Sequence, residues 1–95
     1  MTRQEANYKI LGILKARFPE YNHLYDDIKK LISQFQHQRF GQIICNYVCP
    51  DYRNSKPSNI TSDIMNKWFD IDFDPFFEES TETLNRLKDG FKTIK

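Results

Sequence analysis

The 95-residue sequence is poor in the residues on which common catalytic and cofactor-binding motifs depend. It contains three glycines, two cysteines and two histidines. The glycines stand alone, which excludes a Gly-rich loop that cradles a phosphate group. Nucleophilic catalysis needs a base and an orienting group beside a serine or cysteine, and no Gly-rich turn surrounds any serine. The sequence therefore predicts a protein that is not an enzyme and that uses no cofactor.

A long apolar run is also absent. The mean hydropathy is −0.71, and no stretch of about 18 apolar residues occurs, which excludes a transmembrane helix. The first residues lead into an amphipathic pattern and not into the apolar region of a secretion signal. We therefore expect a cytoplasmic protein with no membrane association.

Aromatic and branched apolar side chains are abundant. The chain has eight Phe, five Tyr and one Trp. Phe, Ile, Leu and Val together form about a quarter of it, above the level at which disorder is expected for a highly charged chain. The net charge is only +1. A chain of this size builds one hydrophobic core, so residues 1–95 are predicted to form a single domain.

The charges are nearly balanced overall but are unevenly distributed. Residues 70–82 contain six acidic side chains and no basic one. A nucleic-acid-binding protein usually carries a basic stripe on one face. The charge distribution therefore disfavours a nucleic-acid partner.

The spacing of apolar residues predicts an all-α fold that begins with a helical hairpin. Thr2 and Glu5 have the spacing of a capping box ahead of a helix over 3–18, which Pro19 ends. Asn22 is the predicted N-cap of a second helix. The apolar stripe of that helix repeats every three or four residues and consists of Leu24, Ile28, Leu31, Ile32 and Phe35. Helices joined by so short a turn pack antiparallel.

Three further elements are predicted after the hairpin. Phe40 begins a third, buried helix that ends at Pro50, with a strand as the alternative. The composition of 50–60 indicates a flexible loop. A short helix over 61–69 follows, with Ile64, Met65, Trp68 and Phe69 turned inward. Ser80 is the predicted N-cap of a C-terminal helix. The inner stripe of this last helix consists of Leu84, Leu87 and Phe91.

An aromatic and acidic segment separates the last two helices. Aromatic or apolar residues alternate with acids from 69 to 74, which is the period of a strand. No partner strand is evident, so an extended segment docked on the helices is the alternative. Asp70, Asp72 and Asp74 match the first three ligands of a calcium loop, but Pro75 and Thr81 stand where that loop needs Gly and Glu. The sequence predicts no metal site here.

The cysteines and histidines do not have the spacing of a zinc site. Cys45 and Cys49 lie four residues apart, and His23 and His37 lie fourteen apart. Structural zinc sites pair their ligands at shorter, regular spacings. We expect buried free thiols, because a helix places such cysteines poorly for a disulfide.

Rings next to acids are typical of a docking surface, because aromatic residues are enriched in interface cores. The candidate partner surface consists of Trp68, Phe69, Asp70, Asp72, Phe73, Asp74, Phe77 and Glu78. The alternative is that this segment completes the core. We expect a protein-protein interaction or accessory factor that binds a protein partner or itself. The alternative function is a helix-turn-helix-like DNA-binding protein that presents Arg39, Gln42 and Asn46.

Two stretches together resemble a group of short bacterial and phage-type proteins of no established activity. They are R-F-G-Q-I-I-C-N at 39–46 and D-P-F-F-E-E-S at 74–80. The resemblance supports the helical architecture and implies a possible phage or mobile-element origin without implying an activity. Structural roles are expected for the motif residues Arg39, Phe40, Gly41, Gln42, Pro75 and Phe76. In particular, we expect Arg39 to pair with an acid of 78–82.

Overall fold

A computed structural model describes residues 1–53, 56–69 and 78–89. Within these ranges the chain forms helices and turns and contains no strand, which confirms the all-α prediction. The helices are α1 Arg3–Arg17, α2 Asn22–Gln34, α3 Phe40–Ile43, α4 Asn59–Trp68 and α5 Ser80–Lys88. None of the helices in the described ranges has both the length and the apolar composition that crossing a bilayer requires.

Helix α1 begins as its sequence predicts and lies at the centre of the fold. The Thr2 hydroxyl accepts from the Glu5 amide at 3.1 Å, and the Glu5 carboxylate accepts from the Thr2 amide at 3.2 Å. The helix contacts both α2 and α5, so it is buried on two sides. Its buried residues are Ala6, Asn7, Ile10, Leu11 and Leu14.

Helix α2 packs against α1 as the predicted hairpin. A 3-10 turn at Pro19–Tyr21 precedes it, and Asn22 is its first helical residue. The prediction that Asn22 is the N-cap is wrong, because the 3-10 turn already gives this residue a helical backbone. The Tyr25 hydroxyl is shared between the carbonyl oxygens of Leu14 and Phe18, at 3.0 and 2.7 Å. It adds a bond to two carbonyl oxygens at the end of α1, which also accept from the backbone amides of Phe18 and Tyr21.

Helix α3 is the predicted buried helix, and the alternative of a strand is wrong. It makes one α-helical turn and continues as a π-helical turn at Ile44–Val48. Phe40, Ile43 and Ile44 are fully buried. The rings of Phe40 and Phe69 lie 6.2 Å apart, which joins α3 to the end of α4.

Helix α4 contributes the largest buried side chain of the described residues. Its inward residues Ile64, Met65 and Trp68 agree with the sequence prediction. The Trp68 ring stacks on Tyr25 at 5.7 Å and meets Tyr21 edge-on at 5.8 Å. This ring cluster connects α4 to the α1–α2 hairpin.

The irregular part of 50–60 is shorter than predicted. Pro50–Arg53 form a 3-10 turn, and α4 already begins at residue 59. The Asp51 carboxylate accepts from the Ser58 amide at 2.6 Å and from the Thr61 hydroxyl at 2.5 Å. These bonds, above all the one from the Ser58 amide, lower the pKa of Asp51. Asp51 therefore ties the turn to the start of α4.

Helix α5 packs along α1. Leu84 and Leu87 are buried as predicted, whereas Phe91 lies outside the described residues. Ser80 is the first helical residue and Glu79 is the N-cap, so the prediction of a Ser80 cap is wrong by one position. The Ser80 hydroxyl is instead buried in the interior.

We expect Gly12→Ala to stabilise the protein by about 0.5–1 kcal/mol, because glycine in a helix interior costs backbone entropy. A Cβ added at Gly12 would meet no atom within 4 Å. The exposed Ala16 of the same helix supplies the control: Ala16→Gly should destabilise by a similar amount. Urea unfolding measures both variants. A destabilised Gly12→Ala variant would contradict the packing described for this face of α1.

Candidate functional site

The structure places two residues of the predicted partner surface in the core. Trp68 is 0% exposed and Phe69 is 4% exposed, so the prediction that they form a docking surface is wrong. Their rings pack on other aromatic side chains, which removes apolar area from water. The predicted surface and motif residues that lie outside the described residues are Asp70, Asp72, Phe73, Asp74, Pro75, Phe76 and Phe77.

Glu78, the last residue of the predicted surface, is held by α5. Its carboxylate is ion-paired with the Arg86 guanidinium, and its side chain is only 8% exposed. The Thr83 hydroxyl donates to the same carboxylate at 2.7 Å. A carboxylate so engaged anchors the chain to α5 and offers little to a partner.

The neighbouring Glu79 is clamped by α1. The Arg3 guanidinium donates to both carboxylate oxygens of Glu79 at 2.8 Å and to the His37 carbonyl oxygen at 2.6 Å. Planar, two-bond pairing of this kind is the strongest arginine-carboxylate geometry. It holds the pKa of Glu79 below its usual value, and Arg39 adds a smaller Coulombic contribution. Arg39, which we expected to pair with an acid of 78–82, thus acts on Glu79 through its charge, and the two-bond pairing with this acid is made by Arg3.

A buried set of hydrogen bonds lies directly beneath this clamp. The Phe40 amide donates to the Ser80 hydroxyl at 3.0 Å, and that hydroxyl donates to the Asn7 side-chain carbonyl at 2.5 Å. The Asn7 amide group donates to the Gln38 carbonyl oxygen at 2.9 Å. Asn7, Ser80 and Phe40 are all 0% exposed. We call this set the polar junction.

The R-F-G-Q stretch has a structural explanation. The Gln42 side chain accepts from the Arg39 backbone amide at 2.8 Å, which satisfies a donor at the helix start. Phe40 and Gly41 are buried. The helix-turn-helix interpretation needs Arg39, Gln42 and Asn46 on one face, yet Gln42 is used in capping and α3 changes to a π-helical turn before Asn46. The DNA-binding alternative gains no support from this geometry.

An open cleft of about 580 Å³ lies on the outer side of the clamp. Three separate parts of the chain meet there: the start of α1, the residues after α2 and the start of α5. The lining residues are Met1, Thr2, Arg3, Gln4, Gln36, His37, Glu79 and Thr81. The Arg3–Glu79 pair joins the first and third of these parts.

Most of the side chains that line the cleft can form hydrogen bonds. Among the described residues that line the cleft, Met1 is the only apolar one, and it is 63% exposed. Small-molecule sites enclose most of their ligand, whereas this cleft is open to solvent. Interfaces between proteins, in contrast, combine hydrogen bonds and bridging water at a polar rim.

Sequence reasoning missed the cleft. Arg3 and Glu79 are 76 residues apart in the chain, and neither belongs to a local motif that indicates pairing. The capping box of Thr2 and Glu5 located the start of α1, and the acid-rich stretch included Glu79. Neither feature indicates which acid meets which base.

Both cysteines are buried free thiols, as expected. Burial raises the pKa of the Cys49 thiol against the effect of a hydrogen bond to Thr61, which lowers it. A protonated, enclosed thiol is a poor nucleophile. In the described ranges, no three His, Cys, Asp or Glu side chains are grouped so that they could hold a metal ion.

Comparison with protein-family models, with curated proteins and with solved structures gave no match. The functional assignment therefore depends on the geometry of the chain itself.

We expect the free energy of unfolding of the Glu79→Gln variant to decrease less than that of the wild type as the pH falls. Because the pKa of Glu79 is lower in the folded protein than the usual 4.5, its stabilising effect is present above about pH 4.5 and is lost as the pH falls through the folded-state pKa. Glutamine does not titrate, so the variant does not undergo this loss of stability. Urea unfolding between pH 3 and 7 measures it, with Glu82→Gln in the same helix as control. Identical curves for the wild type and Glu79→Gln would show that the clamp does not form in solution.

Cys49 should react with a thiol reagent at neutral pH about two orders of magnitude more slowly in the native protein than in the unfolded chain. Asp51→Asn weakens the bonds to Ser58 and Thr61 and should increase the native rate several-fold. Asp26→Asn, at an exposed position of α2, is the control. Tandem mass spectrometry assigns the label to Cys49. Rapid labelling of the native wild type would disprove the burial of this thiol.

Ser80→Ala should destabilise the protein by about 2–3 kcal/mol, because it leaves the buried Phe40 amide and the Asn7 carbonyl without partners. Ser62→Ala on α4 is the matched control and should change stability by less than about 0.5 kcal/mol. Chemical denaturation measures both variants. Equal effects of the two substitutions would contradict the polar junction.

Proposed function

We propose that this chain is a small protein-binding accessory factor and that the cleft between the starts of α1 and α5 receives a polar segment of its partner. The observation that carries this proposal is the cleft itself. It is open, is lined in the described part of the chain by polar side chains and Met1, and is built from three parts of the chain that the Arg3–Glu79 clamp connects. A partner that docks there meets a preformed surface, so little binding energy is lost in ordering it.

The described residues on either side of 70–77 are attached to the rest of the fold. Residues 70–77 follow Phe69, which packs on Phe40, and precede Glu78, which is paired with Arg86. Both attachment points are therefore fixed to the core. The next residue, Glu79, lines the cleft.

The likeness of the R-F-G-Q and D-P-F-F-E-E stretches to short bacterial and phage-type proteins is compatible with an accessory role. A protein encoded next to this chain is therefore the first partner to test for binding in the cleft.

Site-specific photo-crosslinking tests the proposal. A photoreactive phenylalanine derivative replaces Thr81 in the cleft or, as control, Lys29 on the exposed face of α2. We expect one defined adduct from position 81 in the native cells and none from position 29. A second copy of the chain in the adduct would identify self-association as the binding mode.

A blocking variant separates binding from folding. Gln36 is exposed, lies beyond the end of α2 and lines the cleft, so Gln36→Trp fills the cleft without disturbing the core. We expect the position-81 adduct to disappear and the affinity for the crosslinked partner to fall at least about tenfold, which corresponds to about 1.4 kcal/mol. The thermal unfolding midpoint should not change. Equal adducts from both positions, or an adduct unaffected by Gln36→Trp, would disprove the proposal.

A further inference from the structure

We draw no further inference here: the strongest candidate, the stacked ring pair of Phe35 and the 43% exposed Tyr47 between the end of α2 and the π-helical turn after α3, is an apolar patch for which nothing in the structure shows what covers it.

Discussion

The hydrogen bonds of the polar junction impose the constraint on which the rest of the structure depends. Asn7 and Ser80 are polar and fully buried, and a buried polar group without a partner costs free energy. Each finds its partner on a different part of the chain, since α1, the residues before α3 and α5 meet at this point. Apolar packing alone would allow these parts to slide, whereas directional bonds permit one arrangement.

The cleft lies on the outer side of the polar junction, where the same three segments of the chain meet. Arg3 lies one helical turn before the junction asparagine, and Glu79 and His37 immediately precede the junction residues of their own segments. The inner layer excludes water and fixes the three segments. The outer layer is partly solvated, and it leaves a polar surface open to a partner. A partner that binds in the cleft would therefore contact a surface whose geometry is set by the interior.

Local features of the fold could be predicted from the sequence, and long-range pairing could not. The Thr2 capping box and Pro19 defined α1 because both act within a few residues. The helical spacing predicted that Trp68 turns inward, whereas the acids that follow it suggested a docking surface; the structure turns it towards Tyr25. The pairing of Arg3 with Glu79 depends on how α1 and α5 pack, which no local pattern encodes. The alternative that the aromatic segment completes the core is correct for Trp68 and Phe69.

The most direct test of the polar junction is hydrogen exchange at the Phe40 amide. This amide is the first of its helix and has no acceptor within α3, so its protection depends on the Ser80 hydroxyl. We predict that the wild-type amide exchanges only through global unfolding, and that in the Ser80→Ala variant it exchanges faster than the core amides of α1. Rapid exchange at Phe40 in the wild type, or unchanged protection in the variant, would contradict this account of how the three segments are held together.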